Sequence, residues 1–200
     1  MKIGLLADNT PKFPNLPLMK ISAYHKSRGD SVELAEASIF KHYDIVYVSR
    51  TFNLDLGTVP QIDLSYISAD KIIFGGSGYA TEVKNGKEIC HPEKDCPLPY
   101  EVEHIYPDYS LYPDLTKNKA YGFLTRGCPN RCPFCSVWQR EGIISNKAAD
   151  LPEWWRGQKN IVLMDANILA CKERYGLIQQ LIDSGANIDY TQGLDARFID

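Results

Sequence analysis

Apolar residues fall along this chain in short bursts separated by longer amphipathic stretches. "KIGLLA", Lys2 to Ala7, is a continuous apolar run of strand length, as expected for a strand buried on both faces of a parallel sheet. In "PNLPLMKISAYHKSRGD", Leu18, Ile21, Tyr24 and His25 recur at helical spacing and Gly29 supplies a stop. "SVELAE" alternates as a strand does, and "DIVYVSR" (Asp44 to Arg50) and "KIIFGG" (Lys71 to Gly76) are β-branched runs bounded by turn residues. Strands joined by helix-length connections predict βαβ units and a parallel sheet. Residues 1–80 are therefore expected to form a small α/β domain, flavodoxin-like (Rossmann-like) in outline.

The rhythm breaks over residues 81–119, which are rich in proline, charge and tyrosine. "VKNGKE" predicts a hairpin, because Asn-Gly favours a primed turn. The remainder reads as a linker, partly extended and anchored by the tyrosines of "YPDYSLYP". From residue 120 to 200 strands and helices alternate again. "YGFLT", "KNIVLMD" and "NIDYTQGL" read as strands. "AADLPEWWRGQ" holds a short helix capped by Asp150 with Pro152 in its first turn, and the two tryptophans cover the outer wall. "ILACKERYGLIQQLIDSG" predicts a helix with Cys171, Tyr175, Ile178 and Ile182 on one face and Gly185 at its end. A closed (β/α) barrel needs at least about 200 residues by itself, so this part reads as the start of a partial barrel, cut short.

Composition narrows the class without naming it. The chain has 200 residues, an apolar fraction of 44% and a formal net charge of −3, enough for a packed core and without a clear nucleic-acid signature. The opening apolar run is too short for a signal peptide, and no window reaches membrane-spanning length. A cytoplasmic chain with no membrane association is expected. There, clustered cysteines point to metal or redox chemistry rather than to disulfides.

"TRGCPNRCPFCSVW" supplies the cluster. Cys128, Cys132 and Cys135 fall within eight residues. Pro129 and Pro133 each follow a cysteine and disfavour the α region for Cys128 and Cys132, and Gly127 permits a sharp exit from the preceding strand. Arg126 and Arg131 add positive charge beside three thiolates. Tetrahedral zinc and ordinary iron–sulfur clusters take four protein ligands. A fourth here would have to come from Cys90, Cys96, His91, His104 or Cys171, none locally spaced for it. Three thiolates suit a 4Fe-4S cluster with one iron left open.

On these residues "CPNRCPFC" resembles the cluster motif of the radical S-adenosylmethionine (radical SAM) superfamily, C-x-x-x-C-x-aromatic-C, with Phe134 at the aromatic position. The resemblance implies that Cys128, Cys132 and Cys135 ligate the cluster and that S-adenosylmethionine chelates the open iron. An electron from the reduced cluster would cleave the S–C5′ bond, giving methionine and a 5′-deoxyadenosyl radical that abstracts hydrogen from the substrate. It implies that Phe134 lies near the adenine and that an electron donor such as flavodoxin or ferredoxin serves the enzyme.

The resemblance also directs attention to the later strand ends. "LMDANIL" stands where the family often has glycines, and its Asp165 and Asn167 look like the acidic variant of cobalamin-type relatives. Asp165 would accept from the ammonium of S-adenosylmethionine, or both residues simply cap the next helix. In "TQGLDARFI", Gln192, Asp195 and Arg197 are polar groups where barrel strands carry their sites, with a surface ion pair or helix cap as the alternative. The first domain, with "FGGSGY" (Phe74 to Tyr79), resembles the cobalamin-binding domain that precedes many such barrels. The D-x-H-x-x-G cobalt motif is absent, since His25 and His42 have the wrong neighbours, and a scaffold or substrate-recognition domain is the alternative. Cys90, His91 and Cys96 of "CHPEKDC" read as loop thiols or a second metal or redox site, and Cys171 as a core residue. The substrate is not encoded in these motifs. The rival class is a non-catalytic iron–sulfur electron-transfer or zinc-binding protein.

Overall fold

A computed structural model describes residues 1–7, 13–36, 38, 40–51, 64–84 and 87–199. The chain is mixed α/β and divides into two compact units, Met1–Pro113 and Asp114–Asp200. Among the described residues no helix is long and apolar enough to cross a membrane.

The first unit is built on four parallel strands, β1 (Lys2–Ala7), β2 (Ser31–Leu34), β3 (His42–Ser49) and β4 (Ser68–Gly75), in the order β2-β1-β3-β4. Alternation sorts their side chains onto two faces. Ile3 and Leu5 meet Leu18 and Ile21 of helix α1 (Leu16–Ser27) together with Val102, with Ile45 and Tyr47 packed alongside. Tyr43, Val46, Val48 and Ile67 form the core of the opposite face. Gly4 is part of that packing, because a Cβ there would sit 2.9 Å from Val46 and 3.1 Å from the Tyr43 ring. Helix α1 starts where expected: the Asn15 side chain accepts from Leu18 N at 3.1 Å, and Gly29 leaves the helix at φ 82°.

The segment expected to be a linker is mostly part of this first unit. The hairpin β5 (Thr81–Lys84) and β6 (Lys87–Cys90) is antiparallel; its Asn85-Gly86 turn lies outside the described residues. A short helix, α2 (Tyr100–Glu103), follows. Leu98, Val102 and Leu111 pack into the core against α1. Lys20 reaches Glu103 at 2.6 Å, and Asp108 accepts from Ser22 at 2.6 Å and Lys26 at 2.6 Å. Polar residues on α1 thus bind this stretch, which hydrophobic periodicity alone did not reveal.

The second unit begins with a short helix, α3 (Pro113–Thr116), whose first residue closes the first unit, and strand β7 (Lys119–Gly122). Then come β8 (Thr125–Arg126), helix α4 (Val137–Arg140), β9 (Asn146–Lys147), β10 (Asn160–Leu163), helix α5 (Arg174–Ser184) and β11 (Asn187–Tyr190). β11, β10 and β7 form a three-stranded parallel sheet in that order, while β8 and β9 pair antiparallel as a separate hairpin. Trp154 is buried flat against Gly122, where a Cβ would come within 2.2 Å of its ring. The expected helix around it is a single 3-10 turn, Leu151–Glu153, with Asp150 N donating to the Glu153 side chain at 2.8 Å.

Helix α5 corrects one expectation. Its buried residues are Leu177 and Leu181, whereas Tyr175 and Ile182 are 63% and 64% exposed. The helix starts at Arg174 rather than Ile168. Residues Ile168–Ala170 form a 3-10 turn and Cys171 is extended (ψ 141°), which resets the helical phase. Cys171 is buried without belonging to that face. Gly185 ends the helix in the left-handed region (φ 63°), as the sequence predicts.

Candidate functional site

All the residues singled out in the second unit sit at or beyond the carboxyl ends of its parallel strands, where α/β architectures place their sites. Gly122 ends β7, Leu163 ends β10 and Tyr190 ends β11, side by side in register. The cysteine loop leaves β7 through Phe123, Leu124 and the hairpin strand β8, not directly from the sheet.

Asp165 anchors this departure. It is 4% exposed. One carboxyl oxygen accepts from Leu124 N at 2.8 Å, and the other accepts from Thr125 N at 2.8 Å and Thr125 Oγ1 at 2.6 Å. Burial pushes its pKa up to about 6, against the pull of these donors and of Arg126. A carboxylate buried among two amides and a hydroxyl is a structural clamp on the base of the loop.

The hairpin shapes the exit. Gly127 adopts φ 89°, and a Cβ there would lie 2.2 Å from the Ile144 carbonyl oxygen. Its N–H donates to Glu141 Oε2 at 3.1 Å, Arg126 reaches Glu141 Oε1 at 3.0 Å, and Cys128 N donates to the Gly142 carbonyl at 3.1 Å. Gly127→Ala combines a disfavoured φ with a backbone collision, so we expect it to cost about 3 kcal/mol or more of the second unit's stability. Urea unfolding followed by tryptophan fluorescence tests this, since Trp138, Trp154 and Trp155 all lie in that unit.

The three thiols differ in setting. Cys128 is buried, Cys132 and Cys135 are half-buried, and all are free. Cys135 N donates to the Cys132 carbonyl at 3.1 Å, and Trp138 Nε1 reaches the same oxygen at 3.4 Å. Asn167 Nδ2 approaches Cys128 Sγ at 3.9 Å. Phe134 is 81% exposed at the loop tip.

Beyond β10 and β11 the polar residues engage one another. Asn167, 3% exposed, caps the 3-10 turn by accepting from Ala170 N at 3.3 Å, and its carbonyl oxygen accepts from buried Ser145 at 2.8 Å. Asp195 pairs with Arg197 through Nε at 2.8 Å and Nη2 at 2.7 Å, and accepts from Asn130 at 2.7 Å. Arg197 and the Asn130 amide hold the Asp195 carboxyl well below the usual range. The Asp195 carboxylate raises the Arg197 pKa, with smaller contributions from Cys132 and Cys128, which brings this guanidinium into the field of the loop. Gln192 is exposed in the turn after β11.

Asn130, Glu141 and Ser145 were not anticipated. Asn130 had a signal, an amide set between two cysteines; Glu141 and Ser145 had none, because the hairpin that brings them in has two-residue strands.

Among the described residues no three His, Cys, Asp or Glu side chains stand together as a preformed metal set. The donor chemistry nonetheless fits an iron–sulfur cluster: three free thiols on one clamped loop, with an amide at Cys128 and guanidinium charge nearby. The fourth ligand of a zinc or ferredoxin-type site is harder to find. This unit has no histidine, and its other cysteine, Cys171, is wholly buried beside Glu173 at 3.3 Å, where burial pushes the thiol up. Cys90, His91, Cys96 and His104 belong to the first unit. There His91 sits between Glu82 at 3.2 Å and Glu93 at 3.4 Å, and Cys90 and Cys96 are not joined in a disulfide.

In the first unit, His25 is closed off by Asp30 at 2.7 Å and Tyr47 at 3.1 Å, and His42 contacts Ser68 at 2.8 Å and Asp70 at 3.0 Å. Gly76, in "FGGSGY", has a local reason to be glycine: at φ 100°, a Cβ would lie 2.3 Å from the Arg50 carbonyl oxygen. Comparison of the chain with known protein families and with curated proteins finds no match.

Proposed function

We propose that the second unit is a radical SAM-type module in which Cys128, Cys132 and Cys135 hold a 4Fe-4S cluster. The observation that supports this reading is the three-thiol loop clamped at the carboxyl edge of a parallel sheet. When bound and reduced, such a cluster supplies the electron for cleavage of S-adenosylmethionine. The chain's own residues divide into two groups. Asp165, Asn167 and Asp195 engage their polar atoms with the loop and its surroundings, and so shape the site. Phe134 and Gln192 are exposed and accessible to a cosubstrate, as an aromatic face for adenine and an amide; Arg197 is exposed as well, with Nε and Nη2 taken up by Asp195 and only the rest of its guanidinium left for a carboxylate.

The first unit, with strand order β2-β1-β3-β4, suits a flavodoxin-like scaffold of the cobalamin-binding kind, here without a histidine ligand for cobalt. An external reductant and a substrate complete the reading.

Anaerobic treatment with iron and sulfide tests it. About four irons per chain and an absorbance bleached by dithionite are expected, followed by release of methionine and 5′-deoxyadenosine from S-adenosylmethionine. Stoichiometric zinc uptake with no iron would favour the non-catalytic metal protein instead.

A further inference from the structure

Three segments remote in sequence converge on one carboxylate. Asp195 Oδ2 accepts from Asn130 Nδ2 at 2.7 Å, from Asn167 Nδ2 at 3.3 Å and from Arg197 Nη2 at 2.7 Å. Asp195 Oδ1 accepts from Arg197 Nε at 2.8 Å and Arg197 N at 3.2 Å. Asn130 lies midway between Cys128 and Cys132. Asn167 follows β10 and Asp195 follows β11, so the carboxylate joins the middle of the cysteine loop to two strand ends.

The arrangement closes on Cys128. A side-chain amide nitrogen carries two hydrogens. With one committed to Asp195, the Asn167 nitrogen is held 3.9 Å from Cys128 Sγ. Asn167 is itself fixed, since its oxygen accepts from Ala170 N and its side chain is buried. Cys132 and Cys135 have no comparable side-chain donor among the contacts of the described residues. An ionised carboxylate has about four lone-pair sites and no hydrogen of its own, so the five donors share them, three on Oδ2 and two on Oδ1. Arg197, with two parallel bonds, holds that carboxylate in its ionised form and fixed orientation.

We propose that Asp195 is a positioning residue: it latches the cysteine loop through Asn130 and, through Asn167, directs an amide proton to the sulfur of Cys128. The latch is a property of the metal-free loop, and it rests on the cluster reading only where Cys128 is named a ligand. In a loaded cluster, an N–H···S contact of this kind raises the reduction potential, so the latch would also distinguish Cys128 electronically from the other two ligands.

Alkylation of the metal-free full chain with iodoacetamide, followed cysteine by cysteine by mass spectrometry, tests the latch. In Asp195→Ala, Cys128 is expected to react about tenfold faster than in the parent, as the loop opens without its charged acceptor. Buried Cys171 should keep its parental rate. Asp195→Asn retains one oxygen for Asn130 and Asn167 but turns its amide nitrogen toward the Arg197 donors, so Cys128 should react at a rate between those of the parent and Asp195→Ala, a graded response that a general loss of fold would not show. Unchanged Cys128 reactivity in Asp195→Ala overturns the latch, and so does an equal acceleration at Cys171. Should Asp195→Ala fail to fold, Asn130→Ala decides: it removes only the loop's side of the contact and should also accelerate Cys128 selectively. In reconstituted protein, Asp195→Ala should shift the cluster potential to more negative values. If no cluster forms in the parent, the cluster reading fails while the alkylation result still stands.

Discussion

Replacing Asp165 with alanine is expected to destabilise the second unit by about 3–4 kcal/mol at pH 5 and by markedly less at pH 8. The first number comes from what the side chain serves. Leu124 N, Thr125 N and Thr125 Oγ1 all donate to Asp165 within 2.8 Å, in a setting where Leu124 and Thr125 are fully buried. Removing the acceptor orphans these donors, at roughly 1–3 kcal/mol for a group kept from water. The pH dependence comes from the carboxyl's own titration. Its pKa rises from 3.8 unfolded to about 6 folded, because burial outweighs the donors. Between those values the native state binds the proton that the unfolded chain has released, so this group's contribution falls as pH rises through that window and is level above it. The change amounts to about 3 kcal/mol across the window. Alanine cannot titrate, so parent and variant curves should converge as pH rises. Urea unfolding by tryptophan fluorescence from pH 4 to pH 8 measures the gap, and subtraction cancels groups common to both. A gap that stays constant or widens with pH would remove Asp165 from this role.

The same residue shows why part of the site was legible in the sequence and part was not. Its position was readable, because "KNIVLMD" is a buried parallel strand whose apolar run ends at the residue before it. Its partners were not. They lie 40 and 41 positions away, and a carboxylate that binds backbone amides leaves no trace in the residues it binds. The strands were legible for a simple reason: Ile3, Leu5, Val46 and Ile161 are buried in parallel sheets and demand apolar neighbours on both faces. Helix α5 was legible in existence and wrong in phase, since the 3-10 turn at Ile168–Ala170 and the extended Cys171 precede it. Periodicity carries no information across such a break. The first unit's extension to Pro113 rests largely on Lys20, Ser22 and Lys26, polar residues of α1 that a hydrophobic pattern assigns to solvent. The cysteine loop was the easiest feature to find and the hairpin that frames it the hardest. Cysteine spacing is set by chemistry, whereas β8 and β9 are held by a two-residue ladder and by Glu141.

Serine at Cys132 or Cys135 should abolish iron loading while leaving the thermal transition of the second unit within about 2 °C of the parent. Serine at Cys128 should do both kinds of damage. The separation follows from burial. Cys132 and Cys135 are half-buried on a turn, and the structural contacts at Cys132 and Cys135 run through the Cys132 carbonyl and Cys135 N–H, which serine preserves. Cys128 is 8% exposed, with Asn167 at its sulfur. A hydroxyl there buries a more polar group in a space shaped for sulfur, costing about 1 kcal/mol or more, or roughly 5 °C for a unit of this size. On the proposed three-thiolate cluster, iron loading should treat the three positions alike, because a cluster with one open iron would have no spare protein ligand to lose. Tryptophan fluorescence melts paired with iron analysis read both quantities on the same samples. Iron retained by Cys132→Ser or Cys135→Ser would show that the three thiols do not act as one ligand set. Equal melting losses at all three positions would show that the loop is built around its cysteines for packing, which their unequal burial argues against.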